Sequence, residues 1–183
     1  DCLDLLLRML NHEQEHRPTS QQILHHPFFW NDQRRLDFFT DLSDLIETDS
    51  TDPGIIAAME IDCPLVIGSG WGESLDQGLL EELGRFRKYD FRCIKDLLRV
   101  MRNKRHHFNE LSMEMKNLMG TLPSGFVQYF ESKFPYLLMH CVKVVCRYVK
   151  PTESIYREYC KEIEPLFGLG KYEPVVHSPA KMN

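Results

Sequence analysis

Ile94-Lys95-Asp96-Leu97-Leu98-Arg99-Val100-Met101-Arg102-Asn103-Lys104-Arg105-His106-His107 decides the class of this chain. Ile94, Leu97, Leu98 and Met101 recur three and four apart, the period of one helix face. Arg99, Arg102, Asn103, His106 and His107 repeat with the same spacing, so their side chains are neighbours on the opposite face. The pattern predicts a helix over about residues 92–107 with one buried stripe and one polar stripe.

Working outward, most other segments follow the same period. Leu3, Leu5, Leu6, Leu7, Met9 and Leu10 predict a strongly apolar, buried helix. Arg17-Pro18-Thr19-Ser20 is a break and an N-cap for a short helix. His26-Pro27 ends that helix, because the residue before proline avoids the helical region. Asp32 to Glu47 is the next helix, and Ile55–Ile61 a short one after the Asp52-Pro53-Gly54 break. Helices are further expected at about 75–86, 110–118, 124–133, 135–148 and 152–164. No segment alternates with period two and no repeat is visible. The class is all-α, and residues 168–183 lose periodicity and read as a loose tail.

Length and composition bound the answer. The chain has 183 residues, 43% hydrophobic and 27% charged, enough for one modest domain or a domain plus a fragment of another. It starts at Asp1 without a leader and reads as a piece of a longer protein. No apolar run approaches the ~20 residues that cross a bilayer. The six cysteines are scattered and form no C-x-x-C pair, so they read as reduced, mostly buried thiols. Net charge is −5, yet residues 85–107 hold nine Lys/Arg and two acids. That is a basic patch on an acidic body and predicts a local anion-binding surface.

Four constellations carry possible chemistry. His12-Glu13-Gln14-Glu15-His16 matches H-E-x-x-H, but Pro18 follows closely and no third ligand is signalled, so it reads as a polar loop. His25-His26 reads as a charge partner at a helix C-terminus. The glycine-rich stretch 62–74 contains no phosphate-loop pattern and reads as a plain loop. The fourth is the polar face of the 92–107 helix. An imidazole, a fixed cation and an amide donor are the parts that cleave a phosphodiester without a metal. Tyr89 lies just before that helix, and Phe86, Tyr89, Phe91 and Phe108 can stack unpaired bases. On composition alone a solvated basic helix fits the same residues.

Lys95 to His107, with Arg85-Phe86-Arg87-Lys88-Tyr89 before it, resembles the signature of the kinase-extension nuclease domain. That domain belongs to the inositol-requiring transmembrane kinase/endoribonucleases of the unfolded protein response and to ribonuclease L. Glu110-Leu111, Gly120-Thr121-Leu122-Pro123 and Phe126-Val127-x-Tyr129-Phe130-x-x-Lys133-Phe134-Pro135-x-Leu137-Leu138 are similar to its later helices. Asp4-Leu5-Leu6-x-x-Met9-Leu10, Arg17-Pro18-Thr19 and His26-Pro27-Phe28-Phe29-Trp30 resemble the last two helices of a kinase C-lobe. His106-His107 favours the stress sensor over ribonuclease L. Phe108 stands where a tyrosine is common, and residues 168–183 have no counterpart.

The resemblance implies a C-terminal kinase remnant at residues 1–28, a compact helical nuclease domain at 29–167 and the tail at 168–183. It implies an endoribonuclease that cuts hairpin loops in mRNA without a metal, leaving a 2′,3′-cyclic phosphate and a 5′-hydroxyl. His107 is expected as general acid, Tyr89 as base, and Arg102 and Asn103 as phosphate holders. Arg85, Arg87, Lys88, Arg99, Lys104, Arg105 and His106 are expected to touch RNA. Activity is expected from a back-to-back homodimer on the cytosolic side of the endoplasmic reticulum membrane, with no DNA substrate and no membrane contact by this segment. ATP or ADP with Mg is implied only for the full-length family protein, since the chain lacks the kinase Gly-rich loop, strand lysine, H-R-D and D-F-G. Arg17, a kinase anchor, is expected to be idle. Alternatives are a ribonuclease L-like nuclease, a non-catalytic dimerisation scaffold, and the mere end of a kinase. Asn31–Asp44 reads either as dimer interface or as an ordinary amphipathic helix.

Overall fold

The computed structural model describes residues 1–48, 51–84 and 88–167, and these fold into helices and turns with no strand among them. In chain order the helices are α1 (Cys2–Met9), α2 (Ser20–His25), α3 (Asp32–Glu47), α4 (Pro53–Ile61), α5 (Cys63–Ile67) and α6 (Gln77–Gly84). Then come α7 (Ile94–His106), α8 (Met113–Met119), α9 (Ser124–Lys133), α10 (Leu137–Tyr148) and α11 (Glu164–Phe167). No helix among the described residues is long and apolar enough to cross a membrane.

Local chemistry sets the ends. Asn31 accepts the Arg34 N–H and starts α3. Thr19 and Gln22 cap α2 reciprocally, and Ser112 caps α8. Asp52 accepts the Gly54 N–H, and Pro53 occupies the first turn of α4, where its missing donor costs nothing. Gly120 closes α8 at φ +70°, a conformation that favours glycine, and its backbone presses against Gly125.

One core joins these elements. α3 packs along α7; Phe38 of α3 meets Trp30 and Tyr159 edge-on, and Phe39 and Leu42 share the buried core with Ile94, Leu97, Leu98 and Met101 of α7 and Phe126 and Phe130 of α9. α10 is buried on nearly every side and meets α4, α5, α11 and a wide π-helical turn at Tyr156–Cys160. Each such large side chain stabilises by roughly 1.5–3 kcal/mol. The cysteines are free thiols, four of them buried, and burial pushes Cys63 up to about 12 and Cys93 up to about 11.

Three expectations need correction. α1 is not buried: Leu5 faces inward, while Leu3, Leu6, Leu7 and Leu10 are exposed. Its inward face is instead charged, because Asp4 and Arg8 hold it to the body. Residues 62–74 are not a plain loop; they contain α5 and a single helical turn at Trp71–Glu73, since Val66, Ile67 and Trp71 have core to bury into. His26 is not a helix-end charge partner but is fully buried, whereas His25 does meet a helix carbonyl, that of Gln21. His12 and His16 share no continuous helix, because only Gln14–His16 winds into a turn. Arg17 donates to the Asn11 carbonyl at 2.9 Å.

Asp4 ties residues 1–28 to the rest. Arg8 Nε donates to it at 2.6 Å, Lys143 Nζ of α10 lies 3.0 Å away, and His26 Nε2 lies 3.3 Å away. The Phe28 N–H donates to His26 Nδ1, so the ring proton sits on Nε2 and points at Asp4. Arg8 also donates to the Leu166 carbonyl and lies over the Phe167 ring, joining the two ends of the described fold. Burial alone would push the Asp4 carboxyl up; the His26, Arg8 and Lys143 hydrogen bonds outweigh it and hold it well below the usual carboxylate range. The stabilisation is therefore complete above the unfolded carboxyl value of about 3.9 and is lost as pH falls through the lower folded value. Asp4→Asn is expected to cost about 2–3 kcal/mol at pH 7. Urea unfolding should show that deficit shrinking as the pH is brought below 4 and toward the folded value, and a deficit constant with pH would contradict this account.

Candidate active site at the C-terminal end of α7

α7 is fastened at both ends. The Glu60 carboxylate of α4 accepts the Ile94 and Lys95 N–H groups, each at 2.9 Å, and Cys93 Sγ accepts that of Asp96. Three orphan donors of the first turn are thus satisfied, with a negative charge at the positive end of the helix dipole. At the other end Lys104, Arg105 and His106 occupy the last turn and His107 is the cap, its N–H donating to the Asn103 carbonyl. The helix therefore stops one residue short of the expected span, and His107 stands at the corner.

The segment carrying Tyr89 is held from the glycine-rich stretch. Trp71 is fully buried; its N–H donates to the Phe91 carbonyl at 2.9 Å and its indole to the Cys93 carbonyl at 3.0 Å. Its ring meets Phe91 edge-on at 4.6 Å and Tyr89 at 6.3 Å. Gly72 makes this possible, since a Cβ there would stand 3.0 Å from the Phe91 ring. The stretch serves close packing. Asp96 takes the Asp90 N–H at 2.7 Å and fixes the turn into α7.

These constraints bring Tyr89, Asn103 and His107 to one cleft of about 360 Å³, within the size range of small-ligand sites. Leu83 and Leu111 give it apolar wall, and Glu82, Lys104 and Glu110 its charge. Asn103 Nδ2 donates toward the Tyr89 hydroxyl at 3.4 Å, and His107 Nδ1 lies 3.1 Å from Glu110 Oε2. His107 keeps an exposed ring. A proton-transferring imidazole, a hydroxyl and an amide therefore face one volume.

Arg102 is not among them. Its guanidinium reaches α3, to Asp44 at 2.9 Å and Glu47 at 3.2 Å. Arg99 pairs with the other Glu47 oxygen at 2.5 Å and with Asp96 at 3.2 Å, and the Glu47 carboxylate pushes its guanidinium further up, keeping it charged. Arg105 pairs with Asp37 and donates to Thr40 at 2.6 Å. Lys104 is buried and paired with Glu82. The expected free basic patch on α7 is thus largely neutralised in place, and Arg99, Lys104 and Arg105 are engaged with protein carboxylates. Lys88 and His106 are exposed. Arg85, Arg87 and Phe86 lie outside the described residues, as do residues 168–183. Phe108 packs edge-on against buried Phe126. Asp37 and Asp44 of α3 pair with Arg105 and Arg102 of α7. Tyr129 and His140 are structural: one donates to Asp76 at 2.7 Å, the other meets the Met59 carbonyl.

Sequence reasoning missed Glu82, Glu110 and Glu60. The only available signal was for Glu110, an acid three residues after His107.

Residues 35–160 match the family described as Ribonuclease 2-5A. The chain is 44% identical over 155 residues to the serine/threonine-protein kinase/endoribonuclease IRE1 of Oryza sativa subsp. japonica, covering 84% of this chain and 17% of that protein. It is 41% identical over 163 residues to IRE1a of Arabidopsis thaliana, covering 88% and 19%. It is 41% identical over 158 residues to the sensor for unfolded proteins in the ER ire1 of Schizosaccharomyces pombe, covering 85% and 15%. The chain spans less than a fifth of the length of these curated relatives.

Gly72→Ala is expected to destabilise by about 1–3 kcal/mol through overpacking against Phe91. Hydrogen exchange of the Trp71 backbone and indole N–H groups should accelerate in the variant; unchanged exchange would show that the close approach does not hold the Tyr89 segment.

Proposed function

Because the chain belongs to the ribonuclease 2-5A family, we propose that it is the RNA-cleaving part of a kinase/endoribonuclease sensor of unfolded proteins. The observation that carries the reading is the meeting of Tyr89, Asn103 and His107 in one cleft.

The reaction is internal transesterification of RNA. The 2′-oxygen attacks phosphorus, the P–O5′ bond breaks, and a 2′,3′-cyclic phosphate and a 5′-hydroxyl result. The Tyr89 hydroxyl oxygen accepts the 2′-hydroxyl proton as its own phenolic proton passes to water, and His107 protonates the departing 5′-oxygen. Asn103 donates to a phosphoryl oxygen as negative charge develops there. Arg102 joins this set by exchanging Asp44 and Glu47 for the phosphate, a swap between two planar or tetrahedral anions that its fork geometry accepts equally. No metal enters these steps. The substrate is a hairpin loop in messenger RNA, and a DNA linkage, which lacks the nucleophile, is not cut. The active form is a back-to-back homodimer on the cytosolic face of the endoplasmic reticulum. ATP or ADP with Mg belongs to the kinase portion of the relatives.

The test is cleavage of a short RNA hairpin in excess EDTA across a wide range of protein concentration. The native chain is expected to cut, with a rate rising more steeply than linearly with concentration. His107→Ala is expected to lose about 10²–10⁴-fold, and a 2′-deoxy linkage at the scissile position is expected to resist both proteins. Cleavage of the deoxy linkage would sink the mechanism. If neither protein cuts, a forced dimer of the same chain decides: continued inactivity leaves the fold as a non-catalytic dimerisation scaffold.

A further inference from the structure

We propose that Glu110 is the positioning residue of His107, holding the imidazole by Nδ1 so that Nε2 faces the leaving 5′-oxygen. The inference rests on the reading of His107 as general acid. His107 closes α7, and its own carbonyl accepts the Glu110 N–H at 3.0 Å, winding Phe108–Glu110 into a single tight turn. That turn carries Glu110 Oε2 to 3.1 Å from His107 Nδ1. It is anchored to the body at three points: Phe108 lies edge-on to buried Phe126, Leu111 is buried, and Lys116 Nζ donates to the Asn109 carbonyl at 2.8 Å. The carboxylate is therefore placed by the fold, although both partners are exposed.

An exposed imidazole with no fixed partner rotates freely and divides its proton between two nitrogens. A carboxylate accepting from Nδ1–H fixes the ring plane and leaves Nε2 as the nitrogen presented to a ligand. His107 lines the cleft with Tyr89 and Asn103, so Nε2 is the nitrogen left for the phosphodiester. The other charged groups of the cleft are Glu82 and Lys104, which are paired with each other. As the 2′-oxygen bonds to phosphorus and the P–O5′ bond breaks, the Nε2 proton passes to O5′ and the 2′-hydroxyl proton to the base. Glu110 gains and loses no proton and touches no substrate atom.

The experiment compares the natural RNA hairpin with one carrying a bridging 5′-sulfur at the scissile phosphate, whose thiolate departs without protonation. In the 183-residue chain, Glu110→Gln and Glu110→Ala are expected to slow the natural linkage by about 10–100-fold in kcat with KM nearly unchanged. Both variants are expected to cut the sulfur linkage at close to the native rate, and Glu110→Asp to recover part of the natural rate. Equal slowing on both linkages, or none on the natural one, overturns the proposal. If His107→Ala is not rescued by sulfur while the native chain is active, the general-acid reading falls, and this inference with it. Long-range ¹H–¹⁵N spectra at about pH 9, where a free imidazole is neutral, give a readout that needs no cleavage. His107 should be the Nδ1–H tautomer in the native chain and shift toward Nε2–H in Glu110→Ala; an unchanged tautomer overturns the proposal even if the chain cuts neither linkage.

Discussion

Three guanidiniums of α7 facing the carboxylates of α3 fix how α7 is rolled about its axis, and the cleft follows from that roll. The two helices run antiparallel, so Asp37 meets Arg105, Asp44 meets Arg102, and Glu47 meets Arg102 and Arg99. Such part-exposed pairs contribute only about 0–1 kcal/mol each. The buried Leu97, Leu98 and Met101 supply far more. Burial therefore drives the packing, and the ion pairs choose among registers that burial alone would tolerate. A slip by one turn would strand at least one half-buried charge, at about 1–3 kcal/mol. Successive residues lie about 100° apart. With Arg102 turned to α3, Asn103 must face another way, and His107, four residues on, faces with it. Arg102 and Asn103 are adjacent in sequence and serve different surfaces.

The second half of the cleft depends on contacts far apart in the chain. Tyr89 sits in a short non-helical segment that no helix period can orient. It is placed because Trp71 grips the Phe91 and Cys93 carbonyls and because Glu60 caps α7 from a different helix. The two attachments act in sequence: Glu60 sets where α7 begins, and Trp71 sets the path by which the chain reaches that beginning. Tyr89 then arrives 3.4 Å from Asn103 with its hydroxyl turned to the same volume.

What was legible in the sequence is what a single helix reports about itself. The ends of α3 at Asp32 and Glu47, the Ile94–Met101 stripe and the all-α class follow from period and caps, and the structure has them. What was not legible is which neighbour covers a given face. The five leucine and methionine positions of α1 predict burial by composition, yet only Leu5 finds core, because Asp4 and Arg8 on the same helix have stronger partners in His26, Lys143 and Leu166. The basic residues of α7 read as a free patch because, apart from Asp96 beside Arg99, their acids lie more than fifty residues earlier for Arg99, Arg102 and Arg105, and twenty-two earlier for Lys104. Residues 62–74 read as a loop because three glycines dominate the composition, while their role depends on Phe91, which the glycines let approach.

Neutralised cations change how an anionic ligand gains affinity at this cleft. A phosphate arriving at Arg102 makes no new ion pair; it replaces one carboxylate contact with another anion, and the displaced Asp44 or Glu47 returns to water. The net gain of such an exchange is small, since both partners are charged and both sites are part-exposed. Free donors carry what the paired ones cannot. Tyr89, Asn103 and His107 bring donors to the cleft without a cation–carboxylate pair to break beyond the His107–Glu110 contact, and that contact leaves Nε2 available. Tight pairing with α3 thus leaves α7 little free positive charge, so on the proposed function recognition falls on a few hydrogen bonds of defined direction. On the proposed function, a site built that way selects the geometry of one phosphodiester linkage more than the charge of the strand that carries it.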